Sequence, residues 1–571
     1  MAGSNGPLLL ALRIVLFCAL ASAATTLLPL VTRPCAYSLP RTILAATGLD
    51  PHLISCADDG SKSNAHLSEG DGGNKPRSGG RPIVTDLLSC GEPDLPSHAL
   101  PPFRCCPPAP ASDAPVANFT FPDPGEPLRT RRPAHEPGTD SVARYARAVA
   151  LMKALPESDP RSFYQQANVH CAYCAAAYRQ AGTPELPVQI HYSWLFFPFH
   201  RAYLYFFERV AARLLGDPGF AVPFWSWDVP EGMRVPPEFA DVASPLYDPM
   251  RNPDHAPPRL VDLDFSYVDK NCTDEQQIQL NLRIMNKQMV TNAPLPSLFH
   301  GQPYRAGDRG MPGAGTVELS PHNIVHRWSG DLSRANHENM GAYYSSARDP
   351  IFYPHHANSD RLWEVWRGVG GGHSDFTDPD WLDSSFLFYD GDARLVRVTV
   401  RDMLDVGRLR YAYAEVGLPW LSARPPIVTP DGDVNRGRGG PTHLKSVRFP
   451  VSLDAAVTAE VSRRPGKPRG QWEEVLVVEG IEADGAGFVK FDVYVNAVDH
   501  EKVGPGGREM AGSFVSLKHP GKVVVQTSMR VALNELLQDL GAEGDDSVTV
   551  TLVPVEGRVR IGGLRIAYMA E

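Results

Sequence analysis

The 571-residue chain lacks an excess of positive charge, an internal repeat and a long uninterrupted apolar run. Each absence excludes something. A formal net charge of -10 provides no basic field to hold nucleic acid. No repeat means no solenoid or propeller. The longest N-terminal apolar run, Leu8 to Ala24, is broken by Arg13 and is too short to favour a membrane span. Cys171 and Cys174 have Cys-x-x-Cys spacing, but no second cysteine pair follows, which argues against a zinc ribbon.

The Leu8–Ala24 run ends in Ala21-Ser22-Ala23, a small-x-small cleavage pattern, so residues 1–23 read as a cleaved targeting signal. The start lacks a long serine-rich transit peptide and twin arginine. The secretory pathway or vacuole is therefore the expected destination, with the thylakoid lumen of a chloroplast as the alternative. Residues 24–81 are polar and glycine-rich in places and read as a largely disordered pro-segment. Cys90, Cys105, Cys106 and Cys171 form an even set that could make two disulfides, each worth ~2–4 kcal/mol. Asn118-Phe-Thr and Asn271-Cys-Thr match the glycosylation acceptor, which matters only on the secretory route.

What the chain has is histidine in two groups of three: His170, His191 and His200, then His322, His326 and His356. No carboxylate stands at ligand spacing in either group. Neutral imidazole suits zinc, iron, nickel and especially copper. Hydrolytic metal pairs are usually bridged by oxygen ligands, so two all-nitrogen sites point to dioxygen chemistry instead.

The local pattern places these residues on helices. Segment 140–155 reads as an amphipathic helix capped near Thr139 or Asp140, and Arg161 to Cys174 as a helix bearing His170. The run from His191 to Gly216 is apolar on nearly all sides, predicting a core helix with Pro198 and His200 in its first turn. Ser320-Pro321 predicts a cap and first-turn pair, with His322 and His326 on one face of the helix that follows. His356 opens another. A mainly α catalytic domain over 82–424 is expected, its four-helix bundle surrounding two metals.

Beyond Arg394 runs alternate with period two. A proline- and glycine-rich stretch over 425–444 reads as an exposed linker. Runs beginning at Glu473, Gly487, Gly521, Ser547 and Arg558 predict a C-terminal β-sandwich domain over 445–571. It has no ligand cluster, so its expected role is to cover something.

From about Pro82 onward the chain resembles the plant polyphenol oxidases, the catechol oxidase and tyrosinase family of dinuclear copper proteins. The resemblance rests on His170-Cys-Ala-Tyr-Cys174, on Phe-Phe-Pro-Phe-His-Arg at 196–201 and on Asp349-Pro-Ile-Phe-Tyr-Pro-His-His-Ala-Asn358. Asp378-Pro-Asp-Trp-Leu382 and Lys490-Phe-Asp-Val493 resemble the markers of the two plant-specific C-terminal segments.

That resemblance implies two copper ions and oxidation of catechols to o-quinones. Dioxygen takes four electrons on its way to water, so two catechols are consumed per cycle. His170, His191 and His200 would hold copper A, and His322, His326 and His356 copper B. His355 adjoins His356 and either could bind; counting back from Asp360 matches the family pattern and favours His356. Cys174 would form a thioether to His191, and Cys90–Cys106 and Cys105–Cys171 would be the disulfides. Glu318 would orient a water, and Asn323 and Arg327 occupy positions linked with the choice between phenol and catechol. Tyr343 stands where many members carry a phenylalanine gate, which leaves that choice open. The C-terminal domain resembles a shield removed or loosened on activation, for which a protease is the expected agent. The partners implied are phenolic small molecules and dioxygen. Competing readings are additional monophenol hydroxylation and, from another class, a hemocyanin-like oxygen carrier.

Overall fold

The computed structural model describes residues 80–101, 103–108, 115–265, 270–427, 447–463, 472–519 and 524–570. The expected targeting signal, nearly all of the expected pro-segment and most of the expected linker lie outside the described residues.

The N-terminal part is built on helices α1 (Ser141–Lys153), α2 (Phe163–Cys174), α3 (Phe196–Leu215), α4 (Asp274–Asn286), α5 (Asn323–Ser329) and α6 (Phe352–Gly368). Ser162 caps α2, its hydroxyl accepting from the Gln165 N–H. A reciprocal Thr273–Gln276 capping box opens α4. Sixteen of the twenty residues of α3 are buried, so it is a central core helix, apolar on every side. It ends at Gly216, whose φ of 65° favours glycine. A three-stranded sheet flanks the helices: β1 (Ala117–Asn118) and β2 (Ser385–Tyr389) pair either side of β3 (Leu395–Thr399).

Three local expectations need correction. α6 begins at Phe352, so His356 starts its second turn rather than opening the helix. Helix α3 does not begin at His191. It begins at Phe196, which puts Pro198 third and His200 at the start of the second turn. His191 lies in the preceding turn, where Tyr192 has a φ of 59° that a helix cannot contain. Ser320 is extended (φ -153°, ψ 128°) before Pro321, as a helix start requires, but its hydroxyl bonds to the Leu263 carbonyl and caps nothing.

The C-terminal part is a β-sandwich. Its strands are β4 (Val451–Ser452), β5 (Val457–Ser462), β6 (Glu473–Asp484), β7 (Val489–Val495), β8 (Met510–Ser516), β9 (Val524–Ala532), β10 (Ser547–Glu556), β11 (Val559–Ile561) and β12 (Gly563–Met569). One sheet runs β9-β6-β11-β4 with β12 also paired to β6, and the other runs β8-β7-β10-β5. All inter-strand pairings in these two sheets are antiparallel. Inner faces carry Val, Leu, Ile and Phe, the pattern of a two-sheet core.

The helical and β cores interlock. Phe488, Val515 and Leu517 of the sandwich join the helical core, while Tyr192, Met311, Ala314 and Leu319 join that of the sandwich. Edge strand β8 is thereby covered, which removes the aggregation hazard of an open edge.

Candidate metal centre

The structure brings the six histidines together. His170 comes from α2, His200 from α3 and His356 from α6. His326 comes from α5, His322 immediately precedes that helix, and His191 comes from the turn before α3. All six are at least 97 % buried. The two triads abut, with the His200 and His356 rings stacked at 4.2 Å between centroids.

Each triad converges through its Nε2 atoms. The Nδ1 of His170 donates to the Tyr343 carbonyl at 2.9 Å and that of His200 to the Phe196 carbonyl at 2.8 Å. The Nε2 lone pairs are then left to face inward. In the first triad all three Nε2 atoms are buried with no hydrogen-bond partner. Buried polar atoms without partners are rare, and three converging ones mark a place for a bound group. In the second triad the His356 Nε2 lies 3.4 Å from the Nε2 of both His322 and His326. The His326 Nδ1 donates to the Met340 carbonyl at 2.7 Å, and the His322 Nδ1 to Asn323 Oδ1 at 3.1 Å. Carbonyl-anchored imidazoles of this kind are the usual second layer of a histidine metal site.

Burial, reinforced in most cases by neighbouring imidazoles, holds all six below the ordinary histidine pKa, His200 to about 3 and His326 to about 4. They are neutral at physiological pH, the form that binds metals. Three imidazoles per site without a carboxylate fit copper.

Two further residues reach the triads. Cys174 carries a free thiol whose Sγ lies within 4.8 Å of a ring nitrogen of each first-triad histidine. Burial pushes that thiol well above its usual pKa. His355 reaches the second triad equally. Its Nδ1, however, accepts from the Trp227 indole N–H at 3.0 Å. An indole can only donate, so the His355 proton sits on Nε2 and removes the lone pair a metal needs. His356 is the opposite case: its Nδ1 has no partner and its Nε2 faces the other two rings. Arg201, next to His200, bonds Asp360, four residues after His356, at 2.5 Å, clamping α3 to α6. The same carboxylate is held by Arg131 at 3.0 Å.

The other predicted residues lie around this centre. Glu318 is fully buried; one oxygen accepts from the Tyr192 N–H at 2.7 Å and the other has no partner. Burial raises its pKa well above the carboxylate range. The Tyr343 ring packs 4.4 Å from that of His191, and its hydroxyl donates to Asn323 Oδ1 at 3.3 Å. Arg327 is 2 % exposed, bonded to Glu556 of β10 and stacked over Phe488. Disulfides join Cys90 to Cys106 and Cys105 to Cys171. His519 also belongs to this surround, its ring 5.0 Å from that of Tyr343 and 5.7 Å from that of Tyr192. Sequence reasoning missed Tyr192, Trp227, Val515, His519 and Glu556. Tyr192 adjoins His191 in sequence, and nothing in the pattern marks the others, which are distant in sequence from the groups they touch.

Fold and site together define a dinuclear copper oxidoreductase with a helical core and a β-sandwich laid against it. The profile for the common central domain of tyrosinase matches residues 160–369, that for the polyphenol oxidase middle domain 375–426, and that for the chloroplastic polyphenol oxidase C-terminal domain 449–568. The chain is 48% identical over 515 residues to "Polyphenol oxidase, chloroplastic" of Malus domestica, covering 87% of this chain and 86% of the relative. It is 48% identical over 483 residues to "Aureusidin synthase" of Antirrhinum majus, covering 82% and 85%. Among solved structures, latent apple tyrosinase superposes with a TM-score of 0.76 at 49% identity, covering 80% of this chain and 100% of that one. Latent aurone synthase superposes at 0.80 and 40% identity, covering 86% and 99%. The chain belongs to the plant polyphenol oxidase family.

Proposed function

We propose that the chain oxidises o-diphenols to o-quinones at the expense of dioxygen and is made as a latent proenzyme. His170, His191 and His200 hold copper A, and His322, His326 and His356 hold copper B. The observation that carries this reading is the inward convergence of Nε2 atoms, partnerless in the first triad. The bound copper pair supplies electron exchange between catechol and dioxygen.

The chain's own groups do the rest. Backbone carbonyls of Tyr343, Phe196 and Met340 fix the imidazole tautomers. Cys174 is placed to form the thioether that locks the His191 ring. Glu318, with one oxygen without a protein partner, holds a water, while Asn323, Arg327 and Tyr343 shape the entrance for the phenol. The domain division at 82–424, 425–444 and 445–571 belongs to the same proposal. So does activation by a protease or another agent that loosens the C-terminal domain. Among the described residues no helix is long and apolar enough to cross a membrane.

Relatives named chloroplastic, from Malus domestica and Vitis vinifera among others, favour a plastid location for this chain. That corrects the secretory or vacuolar expectation, which rested on the N-terminal apolar run with its small-x-small pattern and on the lack of a serine-rich, twin-arginine start. Monophenol hydroxylation as a second activity is favoured by the likeness to a protein described as a tyrosinase. Oxygen uptake on a catechol panel, with copper content and quinone absorbance measured in parallel, tests the whole reading. Two coppers per chain with quinone formation support it. Reversible oxygen binding without quinone would replace it with an oxygen carrier.

A further inference from the structure

Two side chains, one beside each triad, grip the same atom of the C-terminal domain. The hydroxyl of Tyr192, the residue after His191, donates to the Val515 carbonyl at 2.8 Å. The side-chain amide of Asn323, the residue after His322, donates to that carbonyl at 3.3 Å. Both donors are fully buried. Their aim is not accidental. Glu318 pins the Tyr192 backbone N–H, and the φ of 59° at Tyr192 turns its side chain away from the path of the following helix. Asn323 is held in turn, its Oδ1 accepting from the Tyr343 hydroxyl and paired with the His322 ring.

Val515 lies on β8, the edge strand of its sheet, whose other side is paired to β7. Its carbonyl therefore enters the helical part as a lone acceptor between two donors. The Ala511 carbonyl, two alternations earlier on the strand, is received separately by Asn292 at 2.8 Å. Docking of the strand does not depend on the Tyr192–Asn323 pair alone. When the β-sandwich withdraws, both donors lose that acceptor, at a point flanked by both triads, and are opened to water. A ligand that fills the vacated position takes the donors out of water again, and a buried donor left unsatisfied costs about 1–3 kcal/mol, so the position selects a ligand with an acceptor oxygen there.

We propose that Tyr192 and Asn323 form a substrate subsite for a carbonyl oxygen on the ring substituent of the phenol, occupied in the closed chain by the Val515 carbonyl. This rests on the catechol-oxidase reading and goes beyond it by naming the substrate class: phenols whose side arm carries a carbonyl acceptor. Tyr192 is the selective element, because its hydroxyl makes the shorter of the two bonds to the Val515 carbonyl. An alkyl arm offers no acceptor in place of the Val515 carbonyl and is disfavoured.

The test uses the copper-loaded full chain without oxygen, so that bound catechols are not consumed. Catechols bearing propanamide, butanamide or pentanamide arms are titrated against catechols with alkyl arms of matching length. Backbone amide exchange of 510–517 reports displacement of β8. The expected result is that at least one amide member opens these amides at a fivefold or more lower concentration than its alkyl counterpart. In Tyr192→Phe that preference disappears, although the baseline exchange rises. Equal potency of every amide and alkyl pair in the wild type overturns the proposal, without recourse to any variant. A preference that survives in Tyr192→Phe overturns it too. Readmitting air and following oxygen uptake with the alkyl catechols tests the oxidase reading separately, because that measurement does not depend on the amide preference.

Discussion

Arg327 and Glu556 form an ion pair, 2.7 Å between Nη2 and Oε1, that joins the residue after His326 to the last residue of β10. The guanidinium is buried, while the carboxylate is partly exposed. Burial raises the Glu556 pKa, and Arg327 opposes that rise. Glu556→Gln keeps the shape and removes the charge, leaving a buried cation with a weaker acceptor. For a partly exposed pair the loss is about 1–2 kcal/mol of closure. The open fraction of the intact chain then increases roughly 5- to 30-fold. Basal oxygen uptake of the unprocessed protein should rise by that factor, and an unchanged rate means this pair does not hold the shield.

Ligand assignment in the second triad is testable by a pair of neighbours. His356→Ala is expected to drop copper from two per chain to one and to abolish oxidase activity. His355→Phe should keep both coppers, because the His355 Nε2 carries the proton that the Trp227 contact forces onto it. Elemental analysis of the two purified variants decides the matter. Loss of copper from His355→Phe with retention in His356→Ala would reverse the assignment.

Lys287 is fully buried at the contact between the two cores, its ammonium directed at the Gly507 carbonyl and the Met510 sulfur. Burial lowers its pKa to about 7 from 10.5. Between those values the unfolded chain binds the proton and the folded chain does not. Stability therefore rises with pH across that window, and the penalty is complete below pH 7. The shift corresponds to roughly 3–5 kcal/mol. Lys287→Met should raise the Tm at pH 6–7 and have little effect near pH 10. Thermal unfolding of both proteins at the two pH values measures the difference; a Tm gain independent of pH would rule out this origin.

The copper motifs were legible because their spacing is local: His322 and His326 share a face, and His356 precedes Asp360 by one helical turn. His191 was placed on a helix because the aromatic run that follows it is unbroken. The positive φ at Tyr192, tied to the Glu318 carboxylate, has no sequence signature. Strand β8 escaped for a different reason. Its residues, Met-Ala-Gly-Ser-Phe-Val-Ser, do not alternate between apolar and polar as those of β7 do. Its partners Tyr192 and Asn323 are 323 and 192 positions away. A shield was inferable from a β domain without ligands, but the atom it inserts was not.

Lys490, the first residue of the Lys-Phe-Asp-Val run, is 1 % exposed and bridges Asp264 of the helical part, at 3.0 Å, to Asp492 on its own strand, at 3.1 Å. The two carboxylates hold its ammonium charged despite burial. Lys490→Met leaves both acids buried without that cation, and breaking a buried pair costs about 3–5 kcal/mol. The acids are not equivalent. Asp264 still has Lys270 at 3.2 Å, whereas Asp492 retains the Ser513 hydroxyl at 2.7 Å, a bond that a neutral amide can keep. Adding Asp492→Asn should therefore restore a large part of the loss. Adding Asp264→Asn should restore less, since it strips Lys270 of an acceptor and leaves Asp492 without its cation. Denaturant unfolding of the single and two double variants gives the order. Equal rescue by both would show that Lys270 contributes nothing, and no rescue by either would mean that Lys490 acts through its packing rather than its charge.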